Sequence, residues 1–443
     1  MSGLYDVDTA AHAASDVFRQ PEPSRGGALI DQWSVHPPSE TIKTVEFTGD
    51  NGDFRRMVTK GAALELITFG FYRFWLATAM RRHLWQSTKF QGDALEYTGN
   101  AKELLIGFLF ALAILAPIYL GYFLLGLEAE RYKAFASLPL ALFFFVFGQF
   151  ALYRARRFRL TRTLWRGVRF WMSGSGWKYA VLALLWDALT VVSLGLALPW
   201  RNAALERYKM NHTRYGSLQG SFVGQGSAFF KSAWALWLFA VILASGFAWP
   251  LGLVIVQGQD RAQIFMNIHG GGLWAITGLF ATLFVPFLYG AFKAKEWKWW
   301  LEGVRFGEVS ATSSLGASAY YSNTWKFIGL SIPIFVIYAS IVFAIMNALV
   351  SHPAWRDALL TQVSSAGQTT FQAGIVVNVV IYLLFMLMFG IVLRIYLQQR
   401  IWKMVISSLD LHNTQALNTV TAQGDSVNAL GEGFADGLDI VGF

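Results

Sequence analysis

The amino-acid sequence predicts an all-α, polytopic helical membrane protein with six to eight transmembrane or re-entrant helices. Hydrophobic residues make up 55% of the 443 residues, aromatic residues 16% and charged residues only 14%. A soluble domain would carry about a quarter charged residues. Six long stretches contain no charge, and each supplies the roughly 20 apolar residues that one helical crossing requires. These stretches are 104–127, 134–153, 232–259, 262–292, 327–355 and 358–393.

The uncharged stretches fall into three pairs, and short segments connect the two members of each pair. This arrangement predicts three helical hairpins, over 104–153, 232–292 and 327–397. The connecting segments near 128–133, 260–261 and 356–357 carry little net charge, because their acidic and basic residues balance. We therefore expect the tips of the hairpins on the side of the membrane opposite to the basic loops.

Two further apolar segments carry ionisable residues: 61–80 contains Glu65 and Arg73, and 179–200 contains Asp187. Basic clusters flank each segment on both sides, so a crossing would place one cluster outside the cell. Because Lys and Arg accumulate in cytoplasmic loops, we expect both segments to be re-entrant or interfacial. That choice predicts six spanning helices with both termini in the cytoplasm. Eight spans are the open alternative, since the charge rule is a statistical bias.

The two ends of the chain are acidic and the region between them is basic. Residues 1–42 have a net charge of −4 and residues 410–443 one of −5, within a chain of net charge +9. We predict a disordered cytoplasmic tail over 1–44 and an acidic tail over 408–443. The basic centre is typical of loops held against anionic lipid, so we expect membrane lipids and not nucleic acid as partners.

Two segments share residues at equal distances from a glycine, which indicates an internal repeat. A tryptophan follows the glycine by five residues, an arginine by 12 and a threonine by 18. The first copy consists of Gly70, Trp75, Arg82 and Thr88, and the second of Gly195, Trp200, Arg207 and Thr213.

Further recurrences extend the repeat. The phrase GVRF occurs at 167–170 and again at 303–306, and a decayed copy follows Gly390. We predict three membrane repeats, the last degenerate, over 45–160, 161–295 and 296–407. Each copy is either a packing unit with an interfacial Trp and Arg, or one part of a binding site that forms where the repeats meet.

Five longer phrases stand out beside GVRF: TFGFYRFW (68–75), RRHLWQSTKFQGDALEYTG (81–99), LGLALPW (194–200), ERYKMNHTRYG (206–216) and GEGFADGLDIVGF (431–443). These phrases resemble the YjgN family of bacterial inner-membrane proteins, a domain whose function is not established. The resemblance covers roughly 45–443. It implies a multi-pass location in the bacterial inner membrane and no particular reaction.

Ionisable residues inside apolar segments are the main candidates for function, because an unpartnered charge there is costly. Asp187 lies far from its basic flanks, and we interpret it either as a carboxylate of a proton or ion pathway or as a structural ion pair with an arginine. Glu65 and Arg73 belong to the same candidate pathway. A helix separates them by about 12 Å, which excludes a direct pair within one straight helix.

A run of arginines without an acid predicts contact with anionic lipid head groups or with a phosphorylated substrate. The alternative is ordinary positive charge on the cytoplasmic side. The candidate residues are Arg154, Arg156, Arg157, Arg159 and Arg162.

Enzymatic chemistry finds no support in the sequence. The chain has no cysteine, its seven histidines are scattered, and no hydrolase, nucleotide-binding or zinc-protease motif occurs. We therefore expect neither catalysis nor a cofactor or metal. The leading hypothesis is a transporter or channel-like protein with a polar site near the re-entrant segments. The alternative is a membrane scaffold that binds lipid, a further copy of itself or a partner membrane complex.

Overall fold

The computed structural model describes residues 45–128, 133–257, 271–351 and 365–424. The predicted tail over 1–44 and the end of the chain over 425–443 lie outside these residues, as do large parts of the three connections between hairpin helices. The described residues belong to one compact unit.

A sheet of ten antiparallel strands forms the base of the molecule, so the prediction of an all-α protein is wrong. Each strand pairs with the next in sequence, and β1 also lies beside β10, which leaves the sheet nearly closed and barrel-like. The strands are β1 (Val45–Phe47), β2 (Thr88–Phe90), β3 (Asp93–Tyr97), β4 (Thr163–Trp165), β5 (Val168–Met172), β6 (Thr213–Tyr215), β7 (Leu218–Phe222), β8 (Val304–Phe306), β9 (Val309–Ser313) and β10 (Leu409–His412).

The strands are short, and two-residue turns join them into hairpins. In the turn between β2 and β3, Gln91 and Gly92 both have positive φ, of 49° and 87°. That geometry suits the twist of a tight β-hairpin. Three of the four hairpins begin with threonine, and all four have an aromatic residue at the third position of the first strand, a composition that favours strands. Strands of three to five residues are too short to show an alternating pattern, so the sequence alone does not predict them.

Pairs of helices alternate with these β-hairpins. Both ends of every pair meet the sheet, so each pair leads away from the sheet and returns to it. The helices are α1 (Asn51–Ile67), α2 (Arg73–Gln86), α3 (Ala101–Glu128), α4 (Lys133–Thr161), α5 (Gly176–Val192), α6 (Leu198–Asn211), α7 (Gly226–Gln257), α8 (Gly271–Gly303), α9 (Ala317–Ser351) and α10 (Ser365–Leu393). A π-helix (Arg394–Gln399), α11 (Arg400–Ser407) and a 3₁₀ helix (Thr414–Thr419) complete the described helices.

Four helical segments of the described chain are long and apolar enough to cross a membrane, judged by length and composition. They are Ala101–Phe123, Gly226–Gly246, Ala317–Ile345 and Val377–Ser407. This set also departs from the expected six to eight helices. The segments 61–80 and 179–200 instead lie in the short helical pairs α1–α2 and α5–α6, where the chain reverses near Gly70 and Gly195.

Threonine hydroxyls stabilise three junctions between a helix and the following strand. Thr88, Thr163 and Thr213 are buried, and each Oγ1 donates a hydrogen bond of 2.8 Å to the carbonyl four residues earlier. Two of these oxygens also accept a bond from an indole of another element: Trp85 Nε1 to Thr163, and Trp402 Nε1 to Thr88, both at 2.9 Å. The junctions therefore join neighbouring units of the sheet.

The predicted acidic tail over 408–443 begins as part of this sheet. Strand β10 pairs with β9, and Thr414 in the 3₁₀ helix accepts a hydrogen bond of 2.8 Å from Gln91 Nε2 in the β2–β3 turn. These contacts bring the C-terminal part of the described chain against its first β-hairpin.

Candidate functional site

A cavity of about 710 Å³ lies between the sheet and the bases of the helices. This volume is within the range of small-molecule sites. Aromatic side chains at the third position of β2, β4, β6 and β8 all line it, and they form a continuous layer with Phe170 of β5. The four positions are Phe90, Trp165, Tyr215 and Phe306.

One part of the cavity wall is rich in charge. Among the described lining residues, five are basic and two are acidic, a surplus of three positive charges. They come from α4, α6 and α8: Arg156, Arg159, Arg201, Lys209 and Lys293 are basic, and Glu206 and Glu296 are acidic. On α6 the lining positions 201, 202, 205, 206 and 209 follow helical spacing and therefore share one face.

Glu206 is the most enclosed carboxylate of this wall. Its side chain forms an ion pair with Lys209, and its Oε2 lies 3.5 Å from Arg156 Nη1. Burial by itself raises the pKa of Glu206, but the charges of Lys209 and Arg156 outweigh it, and the net pKa is lower than the usual value. Glu206 is therefore ionised at neutral pH and neutralises part of the basic wall.

A chain of polar contacts connects Asp187 to the cavity. Arg201 Nη2 donates to Asp187 Oδ2 at 3.0 Å, and Arg201 Nη1 donates to Asn202 Oδ1 at 3.2 Å. Asn202 Nδ2 in turn donates to Glu296 Oε1 at 2.9 Å, and Lys293 Nζ to Glu296 Oε2 at 2.6 Å. Asp187 therefore does not line the cavity itself, and Arg201 connects it to the cavity surface.

The other two predicted pathway residues lie in a different part of the molecule. Glu65 on α1 pairs with Arg394 at the start of the π-helix, with 2.7 Å between Oε2 and Nη2. The Arg73 guanidinium lies over the rings of Phe74 and Phe108, at 5.2 and 5.7 Å from their centroids. None of these side chains lines the cavity, so the structure does not bring Glu65, Arg73 and Asp187 together.

The predicted arginine run divides between two environments. Arg156 and Arg159, three residues apart on α4, line the cavity. Arg162 pairs with Glu103 at 2.7 Å, while Arg154 and Arg157 are partly exposed. Only one face of this helix end is therefore directed to the candidate site.

The eight repeat-motif residues occupy matching places in α1–α2 and α5–α6. Gly70 and Gly195 have φ of +88° and +86° at the chain reversals, and Arg82 and Arg207 are exposed. Trp75 and Trp200 are 38% and 40% exposed near the hairpin tips. Thr88 and Thr213 form the helix–strand junctions described above. None of these eight residues lines the cavity.

Trp165 is the cavity residue that sequence reasoning missed most completely. Its side chain is 3% exposed, and its indole Nε1 has no hydrogen-bond partner among the described residues. Its backbone carbonyl accepts a bond of 3.0 Å from the hydroxyl of Tyr215, and burial raises the pKa of that hydroxyl to about 12. An aromatic residue recurs before each hairpin turn, and this recurrence could have identified Trp165 in the sequence. The neighbouring basic residues instead indicated loops.

Lys209, Glu206, Lys293 and Glu296 were also missed, because their spacing on α6 and α8 is that of ordinary surface charge. In the described part of the chain, no cluster of three or more His, Asp or Glu side chains is placed to hold a metal ion.

The fold and site define a class: a protein with apolar helical pairs on a barrel-like sheet that encloses a basic, aromatic cavity. Residues 43–328 match the family described as "Bacterial protein of unknown function (DUF898)", and the chain belongs to this family. It is the YjgN-type bacterial domain, so the resemblance found in the sequence is confirmed. The phrase at 431–443 lies beyond the matched residues. No curated protein and no solved structure matches the chain.

Proposed function

We propose that this protein is a transporter of the bacterial inner membrane that binds an organic anion in the cavity. The observation that carries the proposal is the surplus of basic side chains on a largely apolar, aromatic cavity wall. A basic group in such surroundings gains more from an anionic ligand than it would in water, because the local dielectric constant is lower. The five basic side chains of the wall together outnumber its two carboxylates, and this net positive charge would provide the attraction.

The short helical pairs supply the argument for transport. The chain reverses at a glycine in both pairs, after the apolar helix α5 and after the more polar helix α1, and the exposed tips carry Phe69 and Leu194. We propose that these pairs enter the membrane without crossing it, as repeated units of one architecture. Transporters commonly place their binding sites beside such interrupted helices. The α5–α6 pair contributes Arg201 and Lys209 to the cavity directly.

Basic residues concentrated near the sheet favour a cytoplasmic position for it. Strands β1 and β10 would then place both chain termini on the cytoplasmic side. The cavity would accordingly receive its ligand from the cytoplasm or from the inner leaflet.

The first test is binding by purified protein in phosphatidylcholine nanodiscs. Because tryptophans line the cavity, intrinsic fluorescence reports on its occupation. Titration with citrate, benzoate and dodecyl phosphate should give saturable quenching for at least one of them. Arg156→Gln should weaken that binding about tenfold, whereas Arg207→Gln, an exposed arginine outside the cavity wall, should leave it unchanged. No saturable binding, or equal loss in both variants, would contradict the proposal.

A second candidate is a protein that binds the same anion without moving it. The pairing of Asp187 with Arg201 favours this candidate, because a carboxylate held by an arginine is typical of a structural link. Proteoliposomes loaded with the radiolabelled anion that binds best decide between the two. Efflux above that of protein-free liposomes, reduced in Arg156→Gln, supports transport. Binding without efflux supports the second candidate.

A further inference from the structure

The turns of the four β-hairpins lie at the end of the strands opposite the helices. In each hairpin the chain enters from one helix and leaves towards the next, so the helices join one end of the strands and the turns form the other. Phe90, Trp165, Tyr215 and Phe306 directly precede the four turns, and all four line the cavity. The cavity therefore extends to the turn end of the sheet.

The segment 413–424, which we call the C-terminal strap, contacts all four turns at this end. It follows β10 and contains the 3₁₀ helix. One hydrogen bond joins the strap to each turn. The bonded pairs, in the order of the turns, are Gln91 with Thr414 at 2.8 Å, Arg166 with Asn418 at 3.3 Å, Ser217 with Thr421 at 3.0 Å and Glu308 with Asn413 at 3.4 Å. The strap therefore crosses the turn end of the sheet from one side to the other.

The inner side of the strap contributes to the cavity wall. Leu417 lines the cavity. Leu417 and Val420 also pack against the core cluster that contains Trp165 and Tyr215. On the topology proposed above, the turn end of the sheet faces the cytoplasm. The strap therefore covers the end of the cavity from which a cytoplasmic ligand would enter.

The contacts that hold the strap are individually weak. None of the six residues of its 3₁₀ helix is buried, and residues 421–424 are all exposed. The side-chain bonds to the turns are exposed or only partly buried, so water competes for them. Segments with few buried apolar contacts open at a much lower free energy than the rest of a structure. The strap can therefore detach while the sheet stays intact.

We propose that the C-terminal strap is a gate, which closes the cavity at the turn end of the sheet and opens it when the strap is displaced. The hinge is Asn413, whose φ of +57° turns the chain from β10 into the strap. Strand β10 itself stays paired with β9. The gate rests on the proposed function in one respect only, because it controls access to the same cavity. It suits a transporter and a binding protein alike, and it makes no statement about the ligand.

The absence of cysteine permits a test without any ligand. Leu95→Cys puts a thiol on the cavity wall at a position that is 7% exposed. Its reaction with the small anionic reagent methanethiosulfonate ethylsulfonate is followed by mass spectrometry, on full-length protein in phosphatidylcholine nanodiscs. Thr414→Val with Asn418→Ala removes two bonds to the turns and should raise the reaction rate about tenfold. Thr419→Val removes a bond within the strap, to the carbonyl of Ala416, and should change the rate less than twofold.

A second reporter separates opening of the gate from general loosening of the protein. Met172 is 1% exposed on β5 and does not line the cavity. The rate at Met172→Cys should not change when Thr414→Val and Asn418→Ala are added. An equal rise at both reporters, or no rise at Leu95→Cys, overturns the gate. If Leu95→Cys does not fold, Phe170→Cys, which also lies on the cavity wall, replaces it as the reporter.

A disulfide across the gate provides the converse test. The amide of Ser217 donates to the carbonyl of Thr421 at 3.0 Å, and the amide of Thr421 donates to Ser217 Oγ at 3.2 Å. The two positions are therefore adjacent, as a disulfide requires. Oxidised Ser217→Cys with Thr421→Cys should slow labelling of Leu95→Cys at least fivefold. Unchanged labelling overturns the gate, because the reagent then enters by another route. Loss of anion binding with intact gating would instead contradict the proposed function alone.

Discussion

Arg201 on α6 contacts both carboxylate oxygens of Asp187 on α5: Nε lies 2.5 Å from Oδ1, and Nη2 lies 3.0 Å from Oδ2. The two residues face each other across the chain reversal of the short helical pair. Both side chains are only about one fifth to one quarter exposed, at 20% and 24%. The pair therefore fixes the orientation of the guanidinium that borders the cavity.

Loss of this pair should cost stability. In Asp187→Asn the Arg201 charge loses its partner while it stays enclosed, and we expect a loss of about 1–3 kcal/mol. Thermal unfolding in detergent measures this as a lower melting temperature. Arg201→Gln should cause a similar loss, and the double variant should lose less than the sum of the two. Additive losses would show that the two side chains do not interact.

The hydroxyl of Thr163 should contribute more than that of Thr213. Both donate to a helix carbonyl, but only Thr163 also accepts from the buried indole of Trp85. Thr163→Val leaves that indole without an acceptor, and we expect it to cost about 1–3 kcal/mol more than Thr213→Val. Melting temperatures of the two variants provide the comparison. Equal losses would mean that the indole bond adds nothing.

The chain reversals at Gly70 and Gly195 should be sensitive to alanine. Positive φ is costly for any residue with a Cβ, so each glycine-to-alanine variant should lose about 1–2 kcal/mol. At Gly70 a Cβ would have no neighbour within 4 Å, so backbone strain alone acts there. Gly121→Ala, equally free of neighbours but within α3, is the control and should not destabilise. Unchanged stability of Gly70→Ala would contradict the assigned backbone geometry.

Glu206 should make the protein sensitive to acid. Its pKa in the folded state is lower than the ordinary value of 4.5, so its contribution is fully present above pH 4.5. The contribution is lost as the pH falls through the lower folded-state pKa. Melting temperatures measured from pH 7 to pH 3 should therefore fall less steeply for Glu206→Gln than for the unmodified protein. Glu302→Gln, which removes a more exposed carboxylate, should retain the full slope.

The absence of cysteine permits a direct test of topology. Ser173 follows β5 and Ser217 lies in the turn between β6 and β7, so single cysteines at both should be on the same side of the membrane. In intact cells both should resist a membrane-impermeant thiol reagent, while a cysteine at Ser137 near the start of α4 should react. Opposite labelling of the first two would contradict a non-crossing α5–α6 pair.

The long apolar helices were predictable, whereas the sheet was not. Stretches such as 104–127 and 327–355 predict helices by themselves, because a run of 20 apolar residues is a sufficient signal. A strand such as Thr88–Phe90 has only three residues, and each hairpin also needs a partner beyond the next helical pair. Strand β3, for example, pairs with β4 across α3 and α4. The stability of the sheet therefore comes from tertiary contacts, and these leave no local pattern in the sequence.

The site was predictable only in part, for a similar reason. An ionisable residue inside an apolar segment identified Asp187 as a candidate, and the run of arginines included the two cavity residues Arg156 and Arg159. The partner of Glu65, however, is Arg394, 329 residues away, and no spacing rule connects them. Trp165 could not be predicted as a cavity residue, because the sequence does not show which side of the three-residue strand β4 is enclosed.

The neighbouring positions of β1 and β10 have a consequence for biosynthesis. Val45 leaves the ribosome early, but Leu409 must be translated before its strand can take its place between β9 and β1. Until then a growing chain presents two open strand edges, which are sites of mispairing and aggregation. The last strand therefore closes the sheet. In a chain that stalls before β10 is complete, the unpaired strand edges stay exposed, and quality-control proteases and chaperones can recognise them.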